Sequence, residues 1–162
     1  LVCQLSGYLR STLAARESGL VPLAEEMEAV ANYLNLEKVR FEDNLAISMY
    51  APDALHDAMI PELLIQPLVE NAVKHGMKTS SMPLQVDVSC RESNGSLEIA
   101  VSNTGRWIGR DNGNGTGDGG VGLENIRKRL SLTYGDRYLL SIHEEDGRVR
   151  VTVGIPRTRR DA

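Results

Sequence analysis

Apolar residues recur at helical spacing in the first quarter of the chain. Between residues 23 and 41 they fall three or four positions apart, which places them on one side of an α-helix and predicts a long helix with one buried face. A similar stripe over residues 1–17 predicts a shorter helix that Gly19 and Pro22 end. The chain is therefore predicted to open with two helices.

Two more helices are predicted downstream. One is predicted over residues 61–75. Proline is common at the first helical position, so Pro61 indicates the start, and Gly76, which follows the last residue, indicates the end. The segment 123–134 is followed by Gly135, which is typical of a helix end. With the long helix above, these make three helices in the body of the chain.

Strands are predicted where apolar and polar residues alternate. This pattern marks the segments 45–50, 84–90, 97–102, 138–143 and 149–155. The dipeptides Asn94-Gly95 and Asp146-Gly147 join the second strand to the third and the fourth to the fifth, and both are hairpin signals. The sequence therefore predicts an α+β fold, a two-layer α/β sandwich in which three helices cover about five mostly antiparallel strands.

The length and composition of the chain limit the classes of protein to which it can belong. The 162 residues suffice for one well-packed domain with a short appendage. A net charge of -4 gives no general attraction to nucleic acid or anionic lipid, and no apolar run is long enough to cross a bilayer. Cys3 and Cys90 are far apart and indicate neither a metal pair nor a disulfide framework; Cys90 is predicted to be a small buried side chain.

The helix predicted over residues 61–75 has a polar side that suggests binding. Its apolar side holds Leu68, Val69, Ala72 and Val73, and its polar side holds Glu70, Asn71, Lys74 and His75. One interpretation is a solvated face with a Glu70–Lys74 ion pair. Two features favour a site: Pro67 costs about 3 kcal/mol inside a helix, and Asn71 is a poor helix former whose amide can bond to a partner.

More than half of the chain's 15 glycines lie between Gly105 and Gly122. Such a segment can be a flexible linker, but a long loop between a strand and a helix of one domain is more often a lid over an active site. The loop runs into the helix that is predicted to start near Leu123. Because the first amides of a helix have no internal partners, this helix start is suited to bind phosphate.

Two common nucleotide motifs do not apply to this segment. Residues 117–122 match G-x-G-x-x-G, but the preceding strand is predicted to end near Ser102, too early for the tight turn of a dinucleotide site. No Gly-Lys dipeptide occurs in the chain, which excludes a Walker A loop. A different phosphate-binding architecture is therefore required.

Three segments resemble the nucleotide-binding boxes of histidine kinases. Residues 68–76 (LVENAVKHG) resemble the N box, residues 101–105 (VSNTG) the G1 box, and residues 120–130 (GVGLENIRKRL) the G2 box. Their order and spacing are similar to those of the ATPase superfamily shared by gyrase B, the Hsp-type chaperones, histidine kinases and MutL. The resemblance implies the Bergerat fold, which agrees with the two-layer sandwich predicted above.

Residues upstream of the boxes are similar to the LytS-type branch of sensor kinases. The matching segments are residues 5–10, 23–26, 33, 40–41 and 65–71. This resemblance covers nearly the whole chain. It implies that residues 1–20 are the end of a dimerisation and phosphotransfer helical region, and that residues 21–158 are an ATP-binding catalytic domain.

The resemblance also implies roles for individual residues. It assigns catalysis to Glu70, Asn71, Lys74 and His75. It assigns nucleotide binding to Asn71, Lys74, His75, Asn103, Gly105, Gly120, Gly122 and Leu123. Asn71 would hold the magnesium ion that bridges the ATP phosphates, Asn103 would meet the adenine amino group, and Gly105 would let the backbone approach the purine. Residues 106–119 would form the lid.

Asn103 departs from the G1 pattern of the family, which has aspartate at this place. A neutral amide is a weaker acceptor than a carboxylate, and it carries a donor as well as an acceptor. By rotating, it could tolerate either purine. We therefore expect weak ATP binding, discrimination against GTP of less than ~100-fold, and tighter ATP binding in Asn103→Asp.

The function implied is transfer of the γ-phosphoryl group of Mg·ATP to a histidine of an upstream domain. His56, His75 and His143 lie in a predicted loop, the N box and a predicted strand, so none has the context of an acceptor. The implied partners are ATP, the chain's own upstream region in a homodimer, and a response regulator. No nucleic acid and no direct membrane contact are expected, and the domain would be cytoplasmic in a parent anchored in the inner membrane.

Two other functions remain open. One is a related ATPase, either a serine kinase that acts on an anti-sigma partner or a conformational ATPase, and the LytS-like upstream residues argue against both. The other is a non-catalytic binding module in which Asn103 marks lost nucleotide binding. Phosphohistidine formation tests the first alternative and ATP affinity the second.

Overall fold

The computed structural model describes residues 19–108 and 119–159. Within them the chain forms the helices α1 (Leu23–Phe41), α2 (Ile65–Thr79) and α3 (Gly119–Tyr134). Its strands are β1 (Leu20–Pro22), β2 (Leu45–Tyr50), β3 (Met59–Pro61), β4 (Leu84–Ser93), β5 (Ser96–Thr104), β6 (Leu139–Glu145) and β7 (Arg148–Pro156). The helix predicted over residues 1–17 and most of the predicted lid lie outside the described residues.

A five-stranded sheet forms one layer of the fold, in the order β2-β4-β5-β7-β6. β2 and β4 are parallel, because the chain crosses between them through α2, and the other three pairings are antiparallel. The predicted α+β sandwich is therefore confirmed. β1 and β3 pair in a separate small sheet that was not predicted, since strands of three residues are too short to show alternation.

Both predicted hairpin turns are present. Asn94 and Gly95 have φ angles of 51° and 75°, and Asp146 and Gly147 have φ angles of 51° and 72°. Two successive residues in the left-handed region make a type I′ turn, whose twist matches that of the flanking strands. These turns set the register of the β4–β5 and β6–β7 pairs.

The face of the sheet that meets the helices supplies the core. Alternate residues of three strands are buried there: Val86, Val88 and Cys90 of β4, Leu97, Ile99 and Val101 of β5, and Val151, Val153 and Ile155 of β7. Burial raises the pKa of the Cys90 thiol to about 12. The prediction of Cys90 as a small buried side chain is confirmed.

The predicted bounds of α2 were wrong at both ends. Pro61 belongs to β3 and the helix begins at Ile65, so Pro67 lies in the first turn, where a missing N–H costs no helical hydrogen bond. Gly76 lies inside the helix. A Cβ at Gly76 would overlap Leu84 Cδ1, so this glycine permits close packing against β4 and does not end the helix.

α3 begins at Gly119, four residues before its predicted start at Leu123. Gly120 and Gly122 therefore both belong to the first turn, and the N–H groups of residues 119–121 have no partners within the helix. Leu123 is buried in the core. The helix start that the sequence assigned to phosphate binding is retained, one turn earlier in the chain.

The first turn of α2 is capped by a residue of α1. Leu64, at the cap position, has no polar side chain. Glu26 is only 4% exposed and accepts hydrogen bonds from the N–H groups of Leu63 (2.7 Å) and Ile65 (3.1 Å), one on each carboxylate oxygen. A negative charge at this end of a helix also interacts favourably with the helix dipole. Glu26 thereby joins α1 to the start of α2.

We predict that Glu26→Gln destabilises the fold by about 1–3 kcal/mol, because the new amide group presents its own N–H groups to one of two N–H donors. Urea denaturation measures the free energy of unfolding. Glu25→Gln removes the same charge at the adjacent exposed position and should change stability by less than about 0.5 kcal/mol. Equal effects of the two substitutions would contradict the capping role of Glu26.

Candidate functional site

A cleft lies between α2, α3, the end of β5 and the start of β7, with coil residues 105–108 at one side. Its walls are formed by Leu68, Asn71, Ala72, His75, Val101, Asn103, Arg106, Trp107, Leu123, Val149 and Val151. The cleft therefore brings together four predicted site residues, at least one from each box: Asn71, His75, Asn103 and Leu123.

The asparagine of the N box lines this cleft, and a glycine of the G2 box lies beside that asparagine. A Cβ at Gly122 would lie 3.3 Å from Asn71 Nδ2 and 4.0 Å from Asn71 Oδ1. Because Gly122 has no Cβ, the space beside the amide stays open. Gly122 also follows directly after the helix amides at the start of α3 that lack internal partners. The Asn71 amide group and the N-terminus of α3 are therefore adjacent.

Asn103 is 5% exposed and lies on the helix-facing side of β5. Its Nδ2 donates a hydrogen bond to the carbonyl oxygen of Thr104 (2.8 Å). The same nitrogen would be 3.3 Å from a Cβ at Gly76. The donor side of the amide is therefore held by the protein, which leaves Oδ1 as the atom that can accept a hydrogen bond from a ligand.

His75 and Trp107 form an aromatic wall of the cleft. His75 is 7% exposed, and the two ring centroids are 6.4 Å apart at an interplanar angle of 55°. The backbone N–H of Trp107 donates to Glu144 Oε2 (3.1 Å), which connects this coil to β6. The free space in the cleft is about 20 Å³, roughly one water molecule, so a larger ligand requires a wall to move. Trp107 lies on coil, unlike the walls that α2, α3, β5 and β7 form.

Gly105 lies beside the cleft and contacts the end of α2. Its φ of 117° is in the region that favours glycine, and a Cβ there would overlap Thr79 Oγ1. The same hydroxyl accepts a hydrogen bond from the N–H of Arg106 (3.0 Å). The close approach that Gly105 permits in this structure is thus between the end of β5 and α2.

Glu70 and Lys74 are exposed and do not line the cleft. Glu70 Oε1 accepts a hydrogen bond from Gln66 Nε2 (3.0 Å). Burial, followed by the negative charges of Glu37 and Glu70, raises the pKa of Tyr33 to about 12. Because Tyr33 belongs to α1, Glu70 is near enough to α1 for its charge to act there.

Sequence reasoning missed the walls that come from other parts of the chain. Arg106 and Trp107 were assigned only to the lid, although a tryptophan in a polar, glycine-rich loop is a signal of a packed or ligand-binding position. Val149 and Val151 were assigned only to a strand. Their place in the cleft follows from the pairing of β7 with β5, which places Val149 opposite Asn103.

Two features are absent from the ranges 19–108 and 119–159. None of the helices there has both the length and the apolar content needed to span a membrane. In the same ranges, no three His, Cys, Asp or Glu residues are grouped so that they could hold a metal ion. A metal in the cleft would therefore need ligands from outside this set, such as an amide oxygen.

The fold is shared with solved catalytic domains of histidine kinases. A nucleotide-free structure of the catalytic domain of histidine kinase ThkA superposes with a TM-score of 0.61 at 17% identity, and the match covers 86% of this chain and 97% of that one. A family model described as "Histidine kinase-, DNA gyrase B-, and HSP90-like ATPase" matches residues 56–159, and one described as "Histidine kinase" matches residues 1–45. The chain belongs to this ATPase family.

Among curated proteins, the chain is similar to sensor kinases. It is 31% identical over 151 residues to sensor histidine kinase YesM of Bacillus subtilis (strain 168), covering 93% of this chain and 26% of YesM. It is 30% identical over 164 residues to sensor protein LytS of Staphylococcus saprophyticus, covering 96% of this chain and 28% of LytS. The predicted resemblance to the LytS-type branch is confirmed. The chain spans about a quarter of the length of these relatives.

The hydrogen bond from Asn103 to Thr104 changes the expectation for Asn103→Asp. A carboxylate would lose this donor and place an oxygen beside the Thr104 carbonyl oxygen. We predict that the substitution lowers stability by about 1–3 kcal/mol and does not tighten ATP binding. Urea denaturation and calorimetry with Mg·ATP measure the two effects.

Asn94→Asp is the matched control for this prediction, because it makes the same chemical change at an exposed turn residue that aspartate tolerates. Its cost in stability should be below about 0.5 kcal/mol. Unchanged stability together with tighter ATP binding in Asn103→Asp would contradict the orientation of the Asn103 amide described above.

Proposed function

We propose that this chain is the ATP-binding catalytic domain of a sensor histidine kinase, which transfers the γ-phosphoryl group of Mg·ATP to a histidine of an upstream domain. The observation that carries the proposal is the position of Gly122, at the start of α3, beside the Asn71 amide, which lines the same cleft as Asn103. This arrangement supports the proposal because an amide group that could hold a metal, a helix start that could bind phosphate and an acceptor that could meet a base lie near one another.

Magnesium fits this site with Asn71 as its protein ligand. An amide oxygen suits this ion, which takes its other ligands from phosphates and water and seldom needs a full protein cage. The space that Gly122 leaves beside the Asn71 amide is open to such a group. When bound, the ion would neutralise charge on the bridging phosphate oxygens.

The nucleotide would bind along the cleft from Asn103 to the first turn of α3. Asn103 Oδ1 would accept from the adenine amino group, and Leu68, Val101 and Leu123 would pack against the base. Free amides at the start of α3, including that of Gly120, would donate to the phosphates, where the positive end of the helix dipole favours negative charge, and Gly122 would let the phosphates approach the backbone.

Catalysis in this proposal is mainly positioning and charge neutralisation, because phosphoryl transfer requires no covalent step with these residues. His75 would meet the phosphates from the cleft wall, and Lys74 from the exposed side of α2. Glu70 is next to Asn71 but outside the cleft, so it would act on the incoming histidine and not on the nucleotide.

The setting of the domain is part of the same proposal. Residues 21–158 would form the catalytic domain, and residues 1–20 the end of the dimerisation and phosphotransfer region of a homodimer. A response regulator would receive the phosphoryl group. The domain would be cytoplasmic, and its parent anchored in the inner membrane.

We predict micromolar-to-millimolar ATP binding that requires magnesium, with affinity at least ~10-fold lower in EDTA and in Asn71→Ala. Calorimetry on the chain measures both. Asn35→Ala, at an exposed position of α1, is the matched control and should leave binding within about twofold of the original value. Undiminished binding in Asn71→Ala would remove this residue from the site.

Gly122→Ala should separate binding from stability. Alanine is favoured over glycine inside a helix by about 1 kcal/mol, which offsets the cost of shifting the Asn71 amide by a few tenths of an ångström, so the free energy of unfolding should change by less than about 1 kcal/mol. The added methyl group would lie 3.3 Å from Asn71 Nδ2 and should lower Mg·ATP affinity ~10-fold or more. Ser131→Ala, on an exposed position of the same helix, should leave affinity unchanged. Full affinity in Gly122→Ala would show that the space beside Asn71 is not used.

Assays on the full-length parent protein distinguish the alternatives. Incubation with ATP labelled at the γ-phosphate should give an acid-labile phosphohistidine. Acid-stable phosphoserine on a partner protein would favour the anti-sigma type of kinase instead, and ATP hydrolysis without a phosphoprotein would favour a conformational ATPase. If the chain binds no nucleotide at millimolar ATP, the non-catalytic module is favoured.

A further inference from the structure

The turn between β3 and α2 is held in an unusual conformation. Leu63 has a φ of 57°, in the left-handed region that bulky residues rarely adopt, and its side chain is 49% exposed. Its own packing therefore does not account for this conformation. Hydrogen bonds to two helices account for it. One helix bonds the N–H groups of the turn, and the other bonds its carbonyl groups.

The N–H side of the turn is held by α1 and the carbonyl side by α3. Glu26 of α1 accepts from the N–H groups of Leu63 and Ile65. Arg129 of α3 donates from its NH1 to the carbonyl oxygen of Glu62, and the same nitrogen is 3.4 Å from the carbonyl oxygen of Leu63. A carboxylate and a guanidinium thus hold opposite sides of one turn.

α3 consequently lies against α2 at one point and against the turn that precedes α2 at another. Near its start, Gly122 lies against Asn71, and seven residues later Arg129 holds the turn that precedes α2. Seven residues are about two helical turns, or roughly 10 Å along the axis. Two contacts at this separation fix the angle between the helices as well as their distance, which one contact cannot do.

We propose that Arg129 is a positioning residue of the nucleotide site: by holding the turn at Glu62 and Leu63, it keeps Asn71 aligned with the first turn of α3. The inference rests on the proposed function, because alignment matters only if Asn71 and that helix start act on one ligand. Arg129 itself does not line the cleft.

The test compares two arginines of α3 that are both exposed. Arg129→Gln removes the charged donor, Arg127→Gln makes the same change two residues earlier, and Arg129→Lys keeps a cationic donor. Two dissociation constants are measured for each chain: that of Mg·ATP, which reports the phosphate end of the site, and that of adenosine, which reports the base end. Fluorescence of Trp107, the single tryptophan, follows both because this residue lines the cleft.

We expect Arg129→Gln to raise the dissociation constant of Mg·ATP about 10-fold and to leave that of adenosine within about twofold. Arg129→Lys should recover most of the Mg·ATP affinity, and Arg127→Gln should behave as the unaltered chain. A merely structural role would lower the melting temperature or weaken both ligands together, and would not change their ratio.

The outcomes separate this inference from the proposed function. If the unaltered chain binds Mg·ATP and Arg129→Gln matches Arg127→Gln, the positioning role is wrong and the proposed function stands. Equal weakening of Mg·ATP and adenosine also overturns the positioning role. If the unaltered chain fails to bind Mg·ATP at all, the proposed function fails first, and the inference with it.

Discussion

The close approach of α2 to its neighbours is the constraint on which the rest of the site depends. Three glycines permit it, one from each box: Gly76 against Leu84 of β4, Gly105 against Thr79 of α2 itself, and Gly122 against Asn71. Packed interiors do not absorb an added methyl group without shifts of neighbouring atoms. The glycines of the boxes therefore act first on packing, by setting how near α2 lies to the sheet and to α3. The position of the Asn71 amide beside the start of α3 is a consequence of that packing.

Most of the fold could be predicted from the sequence, because it depends on local patterns. The helix 23–41 and both type I′ turns follow from apolar spacing and from the dipeptides Asn94-Gly95 and Asp146-Gly147. The errors arose where a residue serves a distant contact. Gly76 was interpreted as a helix end. A glycine is required there because the side chain of Leu84 leaves no room for a Cβ, and no local rule can reveal this contact. The pairing of β1 with β3 was missed because strands of three residues are too short to show alternation.

The candidate site could be predicted only in part. The three boxes identified Asn71, His75, Asn103 and Leu123, which the fold does bring into one cleft. Membership of a box does not show which of its residues face the cleft. Glu70 and Lys74 belong to the N box but lie on the exposed side of α2. Box membership also cannot find contacts between distant segments. Arg129 reaches a carbonyl group 67 positions away in the chain, and the arginine pattern of α3 alone does not distinguish it from Arg127. Such contacts come from packing, not from periodicity.

Asn103 shows how one such contact changes a chemical conclusion. As a free amide it could turn either its oxygen or its nitrogen toward a base, and would then select weakly between adenine and guanine. In the fold its nitrogen donates to the Thr104 carbonyl oxygen, and rotation would bring two oxygens together at that point. Rotation therefore costs a hydrogen bond and adds a repulsion, while the fixed orientation presents an acceptor to the ligand. In the proposed function this amide matches the adenine amino group and opposes the oxo group of guanine. Selectivity for ATP is thus expected to exceed what the free side chain would provide, because a backbone carbonyl group sets its direction.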